Sequence, residues 1–405
     1  MTSGHRTTAA ANDSAYVDTA AGLRDICARL GGVERFALDT EFVGERTYVP
    51  VLELIQVATP QQVALIDCRA VPSLEPFFEV LTDARVEKVL HAGQQDLELF
   101  SSLTGRVPAP IVDTQVAAAM AGYGAQVGYG QLVERLLHHT VEKSETLTDW
   151  SRRPLTRAQI AYAIDDVRYL LPVYEKLRAK LVSAQRWEWL REECRRLERS
   201  VRSVPVEPVE AWLRVRGRGT LRAKGLAVLR ELAAWREDVA RTRNKPRASV
   251  ARDEALVEIA RKAPTTVEAL RSLRAVRSRE LDRHAGEVVQ RVVSALETPK
   301  DAWPQPAPPQ SGGPATGVVE LLQAVLRLRA EEAGIAASLL ATSADLQVLV
   351  QRHAAGDVRD VPIMQGWRKT IAGSDLLALL EGRASVALDP ASGAVRVTPR
   401  EGDAR

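Results

Sequence analysis

Three short stretches hold acidic side chains at spacings that could do chemistry. In the first, Asp39-Thr40-Glu41 closes the run Arg35-Phe36-Ala37-Leu38 and is followed by Phe42. Residues two apart in a strand face the same way, so Asp39 and Glu41 present two carboxylates side by side. Like charges so close repel. A divalent cation is the economical compensation, because hard oxygen ligands suit Mg²⁺ or Mn²⁺. The second stretch, Val89-Leu90-His91-Ala92-Gly93-Gln94-Gln95-Asp96, reads as a strand turning through glycine into a helix over 97–103. Asp96 falls in the first turn of that helix, where a carboxylate also suits the helix dipole. The third, Tyr162-Ala163-Ile164-Asp165-Asp166, lies in a helical segment, and Tyr162 and Asp166, four apart, share one face while Asp165 points elsewhere. An exposed polar strand, a helix N-terminal acid and a surface pair would explain the three separately. Their order along the chain carries the signal.

The elements that must position these groups are legible from periodicity. Apolar, β-rich runs at 33–42, 52–58, 63–68 and 86–91 are separated by turn signals such as Thr59-Pro60-Gln61, and three of them come early and close together. That order predicts an antiparallel meander followed by helix-linked strands, hence an α/β unit with a mixed sheet flanked by helices. From 156 to about 199 the apolar positions recur at helical spacing, as in Ile160, Ala163, Val167 and Leu170, with Pro172 marking a kink or boundary.

The blocks Asp-x-Glu, Asp after His-Ala-Gly, and Tyr-x-x-x-Asp resemble the exonuclease motifs of the DEDD superfamily, in its tyrosine-containing branch. The surrounding text is similar to the RNase D family: Asp39-Thr40-Glu41-Phe42, Arg46-Thr47-Tyr48, Leu54-Ile55-Gln56, Val112-Asp113-Thr114-Gln115, Lys143-Ser144-Glu145, Asp149-Trp150 and Arg153-Pro154-Leu155. Beyond it, residues 229–238, Pro246-Arg247, Asp253-Glu254-Ala255-Leu256 and Ile259-Ala260-Arg261 resemble the HRDC domain, a helical nucleic-acid-binding module.

The resemblance implies an RNase H-like mixed sheet followed by two small all-helical domains, HRDC and HRDC-like. It implies a 3′-to-5′ exoribonuclease in which Asp39, Glu41, Asp96 and Asp166 hold two divalent ions, Mg²⁺ or Mn²⁺, and Tyr162 orients the attacking water. A phenol, with an ordinary pKa of about 10, suits that role better than general-base work near neutrality. The partner implied is RNA with a free 3′-hydroxyl, structured RNA such as a tRNA precursor, with release of 5′-nucleoside monophosphates. Phe42, His91 and Gln95 are candidates to touch the terminal nucleotide. The alternatives are a DNA 3′-to-5′ exonuclease and a catalytically silent RNA-binding protein retaining the fold.

Composition bounds the rest. With 405 residues, 45% hydrophobic and 26% charged, the chain has room for two or three domains. The expected divisions are a disordered N-terminus (1–14), the exonuclease domain (15–203), the HRDC domain (210–297), a Pro/Gly-rich linker (298–316), a C-terminal helical unit (317–390) and a flexible tail (391–405). The linker is marked by six prolines between Pro299 and Pro314 with Gly312 and Gly313 beside them. Cys27, Cys68 and Cys194 stand far apart, in no zinc or disulfide spacing. The chain shows no apolar run of membrane-spanning length and no signal-peptide core at its start. A cytoplasmic protein, favoured as a monomer, is the expectation. Net charge is only +3, but residues 201–300 carry 22 Lys/Arg against 13 Asp/Glu, the kind of excess that attracts phosphates. Its densest cluster, Arg243, Lys245, Arg247 and Arg252, is the candidate nucleic-acid contact.

Overall fold

The computed structural model describes residues 13–44, 47–141, 148–201, 208–274, 279–306, 316–391 and 393–400. Residues 1–12, Arg46, Lys143-Ser144-Glu145, 202–207, 307–315 and the tail beyond 400 lie outside the described residues.

A six-stranded sheet organises the N-terminal unit: β1 (Asp13–Val17), β2 (Arg35–Val43), β3 (Val51–Ala58), β4 (Gln62–Asp67), β5 (Glu87–Leu90) and β6 (Ile111–Asp113), in the order β1-β4-β3-β2-β5-β6. β2, β3 and β4 form the antiparallel meander, whereas β1 on β4, β5 on β2 and β6 on β5 run parallel, so the sheet is mixed. β1 puts residues 13 and 14, expected to be disordered, into a strand. Helices α1 (Ala20–Gly31), α2 (Glu75–Leu81), α3 (Gln94–Thr104), α4 (Thr114–Met120), α5 (Tyr129–Leu137), α6 (Arg157–Arg168), α7 (Leu170–Ser183) and α8 (Trp187–Ser200) cover it. The long helical stretch read from 156 to 199 is thus three helices. Its first break falls at Tyr169, and Pro172 sits in the first turn of α7, where a missing backbone donor costs nothing.

The HRDC region is a separate bundle of α9 (Ala223–Thr242), α10 (Arg247–Val250), α11 (Asp253–Lys262), α12 (Val267–Arg271), α13 (Arg279–Arg283) and α14 (Ala285–Glu297). Leu226, Leu229, Leu232, Trp235, Leu256, Ile259, Val288 and Val292 close its own core. Part of the expected linker is structured, since Lys300–Ala302 forms a 3-10 turn and the Trp303 indole donates to the Thr298 carbonyl at 3.0 Å.

The C-terminal unit comprises α15 (Thr316–Glu332), α16 (Ala337–Leu340), α17 (Ser343–Ala354), α18 (Gly366–Arg368) and α19 (Ser374–Leu380), then a hairpin of β7 (Ala384–Leu388) and β8 (Val395–Pro399). The hairpin runs through the boundary expected at 390, because the alternating Val395-Arg396-Val397 pairs back onto Val386. The helices of this unit pack on one another, and their core is continuous with that of the sheet. Leu322, Val325, Leu346, Ile363 and Leu376 join the same hydrophobic cluster as the sheet. The junction is specific: Trp367 stacks on Trp189 at 5.2 Å, and Arg368, with both guanidinium ends, grips Glu193 of α8, all of that ion pair being buried. The Ala336 amide donates to the Ala119 carbonyl. Gly122, at φ +86°, lies so close to the Gly334 carbonyl that a Cβ there would stand 2.7 Å from its oxygen, so only glycine fits. Among the described residues no helix is long and apolar enough to cross a membrane.

Candidate active site

β2 carries the first two carboxylates out of the core. Phe36, Ala37 and Leu38 are buried, and the strand then emerges so that Asp39 and Glu41 are partly exposed. Past Ala37 the strand has no register partner on its β5 side, while β3 still pairs with it, Asp39 opposite Gln56 and Glu41 opposite Leu54. A bulge between Glu41 and Phe42 shifts the register immediately after the second carboxylate, a device that re-aims side chains beside active sites.

Asp96 arrives from α3. The turn that launches this helix contains Ala92 at φ +55° and is held by Asp113, whose carboxylate accepts from the Ala92 amide at 3.1 Å and the Gly93 amide at 3.0 Å. Asp113 also caps α4, accepting from the amides of Gln115 (2.8 Å) and Val116 (3.4 Å). Asp96 itself is buried and accepts a hydrogen bond from the Thr40 hydroxyl, which ties the second motif to the middle residue of the first. Sequence reasoning missed both Asp113 and Thr40 as supports.

α6 brings Tyr162 and Asp166. A capping box starts this helix: the Thr156 hydroxyl accepts from the Gln159 amide while the Gln159 side chain accepts from the Thr156 amide. Its lead-in is stapled by Arg153, which grips Asp67 with two hydrogen bonds (2.6 and 2.9 Å) and also donates to the carbonyls of Glu53 and Trp150. At the other end the Tyr129 hydroxyl donates to the Asp165 carbonyl at 2.8 Å and accepts from the Tyr169 amide, fixing the α6–α7 corner. Tyr162 hydrogen-bonds Asp166 and packs beside Trp150.

Burial raises all four carboxylates, and Asp39 and Glu41 also feel the other acids of the motifs. Asp39 is held well above the ordinary carboxylate range, by burial first and then by Asp96, Asp166 and Glu41. Glu41 is pushed up to about 8 by burial, Asp166 and Asp96. Burial and Asp165 raise Asp166 to about 7, with the Tyr162 hydrogen bond pulling the other way, and burial raises Asp96 to about 6 against the Thr40 bond. Among the described residues no three acidic, His or Cys side chains are already closed around one point. An all-carboxylate donor set of this kind fits hard divalent cations.

The other candidates divide. Gln95 is exposed beside Asp96, and Phe42 is partly buried at the rim. His91 spends both ring nitrogens inside the protein, Nδ1 on the Thr114 hydroxyl at 2.9 Å and Nε2 on the Val127 carbonyl at 3.1 Å, and burial lowers its pKa. It is a brace for the β5–α3 turn. The cationic cluster is largely neutralised: Arg243 and Lys245 both bind Glu280, and Arg247 binds the buried Glu237. Only Arg252 of the four is exposed without an ion-pair partner among the described residues. Linear charge density identified these residues, but pairing with Glu280, 37 and 35 residues away, and with Glu237, 10 residues away, is invisible to it.

Arg247 has a further role. Its guanidinium stacks over the Tyr48 ring at 4.5 Å and donates to the Tyr48 hydroxyl at 3.0 Å, while that hydroxyl donates to Glu237 and the Tyr48 amide donates to Asn244 at 3.1 Å. Tyr48 follows the catalytic strand, so this clamp fastens the bundle to the loop beside the site.

A mixed sheet whose meander strand, first-turn helix acid and Tyr-x-x-x-Asp helix converge in this way defines a 3′-to-5′ exonuclease, and the 3′-5′ exonuclease family model matches residues 14–182, with the HRDC model on 225–292. The chain is 38% identical to ribonuclease D of Nitrobacter hamburgensis over 92% of its length and 97% of the relative's, and 40% identical to that of Acidiphilium cryptum over 92% and 94%. The crystal structure of Escherichia coli RNase D, described as an exoribonuclease involved in structured RNA processing, superposes with a TM-score of 0.83 at 33% identity, covering 91% of this chain and 98% of the other. The chain belongs to the ribonuclease D family and is a 3′-to-5′ exoribonuclease. These relatives do not favour the DNA exonuclease or the silent binding protein.

Proposed function

We propose that Asp39, Glu41, Asp96 and Asp166 hold two divalent ions, Mg²⁺ or Mn²⁺, and that the enzyme trims 3′ ends of structured RNA such as tRNA precursors, releasing 5′-nucleoside monophosphates. The observation that carries this reading is that burial raises all four carboxylates, and that Asp39 and Glu41 are raised further by the other acids of the set. Bound cations would supply Lewis acidity at the scissile phosphate and lower the pKa of the attacking water. The chain's own residues do the positioning. Thr40 orients Asp96, and Tyr162, held by Asp166, presents its phenol to orient water. Phe42 and Gln95 would touch the terminal nucleotide. The free cysteines Cys27, Cys68 and Cys194 suit a reducing cytoplasm, and the enzyme acts there as a monomer.

The test incubates purified protein with labelled RNA bearing a free or blocked 3′ end, with Mg²⁺, Mn²⁺ or chelator, alongside the matching DNA. Stepwise shortening is expected only for the free end with metal, abolished in Asp39→Asn and reduced in Tyr162→Phe. Internal cuts, or full activity in chelator, would overturn the assignment, and light scattering of the same sample checks the monomer.

A further inference from the structure

With Arg243, Lys245 and Arg247 tied to carboxylates, the bundle's free positive charge lies elsewhere. Between Ala211 and Arg230 the sequence contains no Asp or Glu. Arg214, Arg216, Arg218, Arg222 and Lys224 fall inside that window, and all five are exposed. None of their side chains forms a direct ion pair among the described residues, although Arg216 lies near enough to Asp253 to help lower its pKa. The segment is nonetheless firmly placed: Val215 and Leu221 are buried in the bundle core, and Gly217 turns the chain at φ +84° against Val257. The Arg216 amide is fastened to Asp253 at 2.9 Å. Arg261, at the end of α11, donates to the Thr220 hydroxyl at 2.8 Å and adds its charge to the same shoulder. A rigid backbone that holds unneutralised cations in water gains nothing in stability from them. They are left available to an external anion.

Position narrows what they meet. Arg214 lines a cleft with Arg236, Glu237 and Arg247. Glu237 and Arg247 are two of the residues that clamp Tyr48 of the exonuclease domain. The cationic shoulder therefore begins at the seam beside the catalytic strand and leads away from it. With no exposed aromatic among these cations, backbone contact is favoured over base stacking.

We propose that this shoulder, Arg214 to Lys224 with Arg261, is the surface along which the RNA backbone upstream of the 3′ end is held. The proposal rests on the exoribonuclease reading for its ligand, but its test does not need turnover. Binding of a 3′-tailed stem-loop RNA to the full chain is measured in chelator across a salt series, for wild type and for Arg216→Gln/Arg218→Gln/Arg222→Gln. Binding on the order of ten-fold weaker at 0.1 M salt is expected, with a log–log salt slope shallower by about 2, since each single-strand phosphate contact contributes about 0.7. Turnover of a trinucleotide with metal should stay at the wild-type rate, and the control Arg243→Gln/Lys245→Gln should keep the wild-type slope. An unchanged affinity and slope in the triple variant would overturn the proposal. So would an equal loss on the trinucleotide, or competition by polyglutamate as strong as by RNA, which would make the shoulder a site for an acidic protein. If wild type bound RNA as expected but failed to shorten the trinucleotide, the catalytic assignment would fall and the surface would stand.

Discussion

Replacing Asp113 separates positioning from chemistry at this site. One oxygen of its carboxylate accepts from Ala92, Gln115 and Val116, and the other from the buried Gly93 amide. Asp113→Asn keeps the first acceptor and turns the second into an N–H₂ group facing the Gly93 amide, two donors head to head. Leaving one buried amide unsatisfied costs about 1–3 kcal/mol. Asp113→Ala adds loss of the α4 cap at about 0.5–2 kcal/mol, for a total of about 1.5–5 kcal/mol. The turn that relaxes carries Asp96 three residues further on, so part of the cost should appear in catalysis. For Asp113→Asn we expect a kcat at least ten-fold lower on a short oligonucleotide and a higher Mg²⁺ concentration for half-maximal rate, with the trinucleotide KM little changed. Metal titrations of initial rate, paired with urea denaturation, read both effects. Asp96→Asn is the inactive reference. An Asp113→Asn enzyme with the wild-type rate and metal dependence would refute the idea that the turn governs Asp96.

Three further outcomes follow from contacts already described. Arg368→Ala strands the buried Glu193 carboxylate and should cost about 3–5 kcal/mol, whereas Glu193→Leu/Arg368→Met should recover most of it; urea denaturation of the three variants tests this. Asp67 is held below the usual carboxylate range: burial raises it, but the Arg153 and Tyr16 hydrogen bonds prevail. Its contribution is therefore present above the unfolded pKa near 4 and disappears as pH falls through the lower folded value, so Asp67→Asn should be less stable by about 1–3 kcal/mol at pH 7 and converge on wild type below pH 4 in thermal melts. Tyr48→Phe removes the hydroxyl shared by Glu237 and Arg247; a loss of about 1.5–3 kcal/mol at the clamp should widen the distribution of separations between the exonuclease and HRDC units in solution scattering, and an unchanged profile counts against the clamp.

The parts of the molecule legible in the sequence were those with local periodicity. β2 to β5 announced themselves by apolar runs between turn signals, and the catalytic motifs by residue type and order. β6, only three residues long, offers no alternation to read, and β1, an edge strand of polar Asp-Ser-Ala-Tyr-Val, looks like the tail before it. Supports were illegible for another reason. Thr40 on Asp96 and Asp113 on Gly93 act across 56 and 20 residues through geometry that no spacing rule encodes. The same holds for charge: Arg247 reads as a phosphate contact until Glu237 and Tyr48 are seen around it. An amphipathic stripe, finally, states that a helix must be covered and is silent about what covers it. α15 packs against α16, α17 and α19 of its own unit, and Leu322 and Val325 belong to a core that runs on without a break into that of the sheet.

That last feature changes which pieces of the chain are separable. In sequence order the HRDC bundle interrupts a single hydrophobic body, whose first portion ends near 200 and whose second resumes at 316. A deletion from the C-terminus back to 306 would strip apolar surface from the nuclease itself, including the mates of Trp189 and Glu193. Excising 208–306 and bridging the gap would remove a bundle that has its own interior, breaking chiefly the hold on Tyr48. The bundle is therefore the exchangeable cassette, and the chain's final ninety or so residues are part of the engine housing.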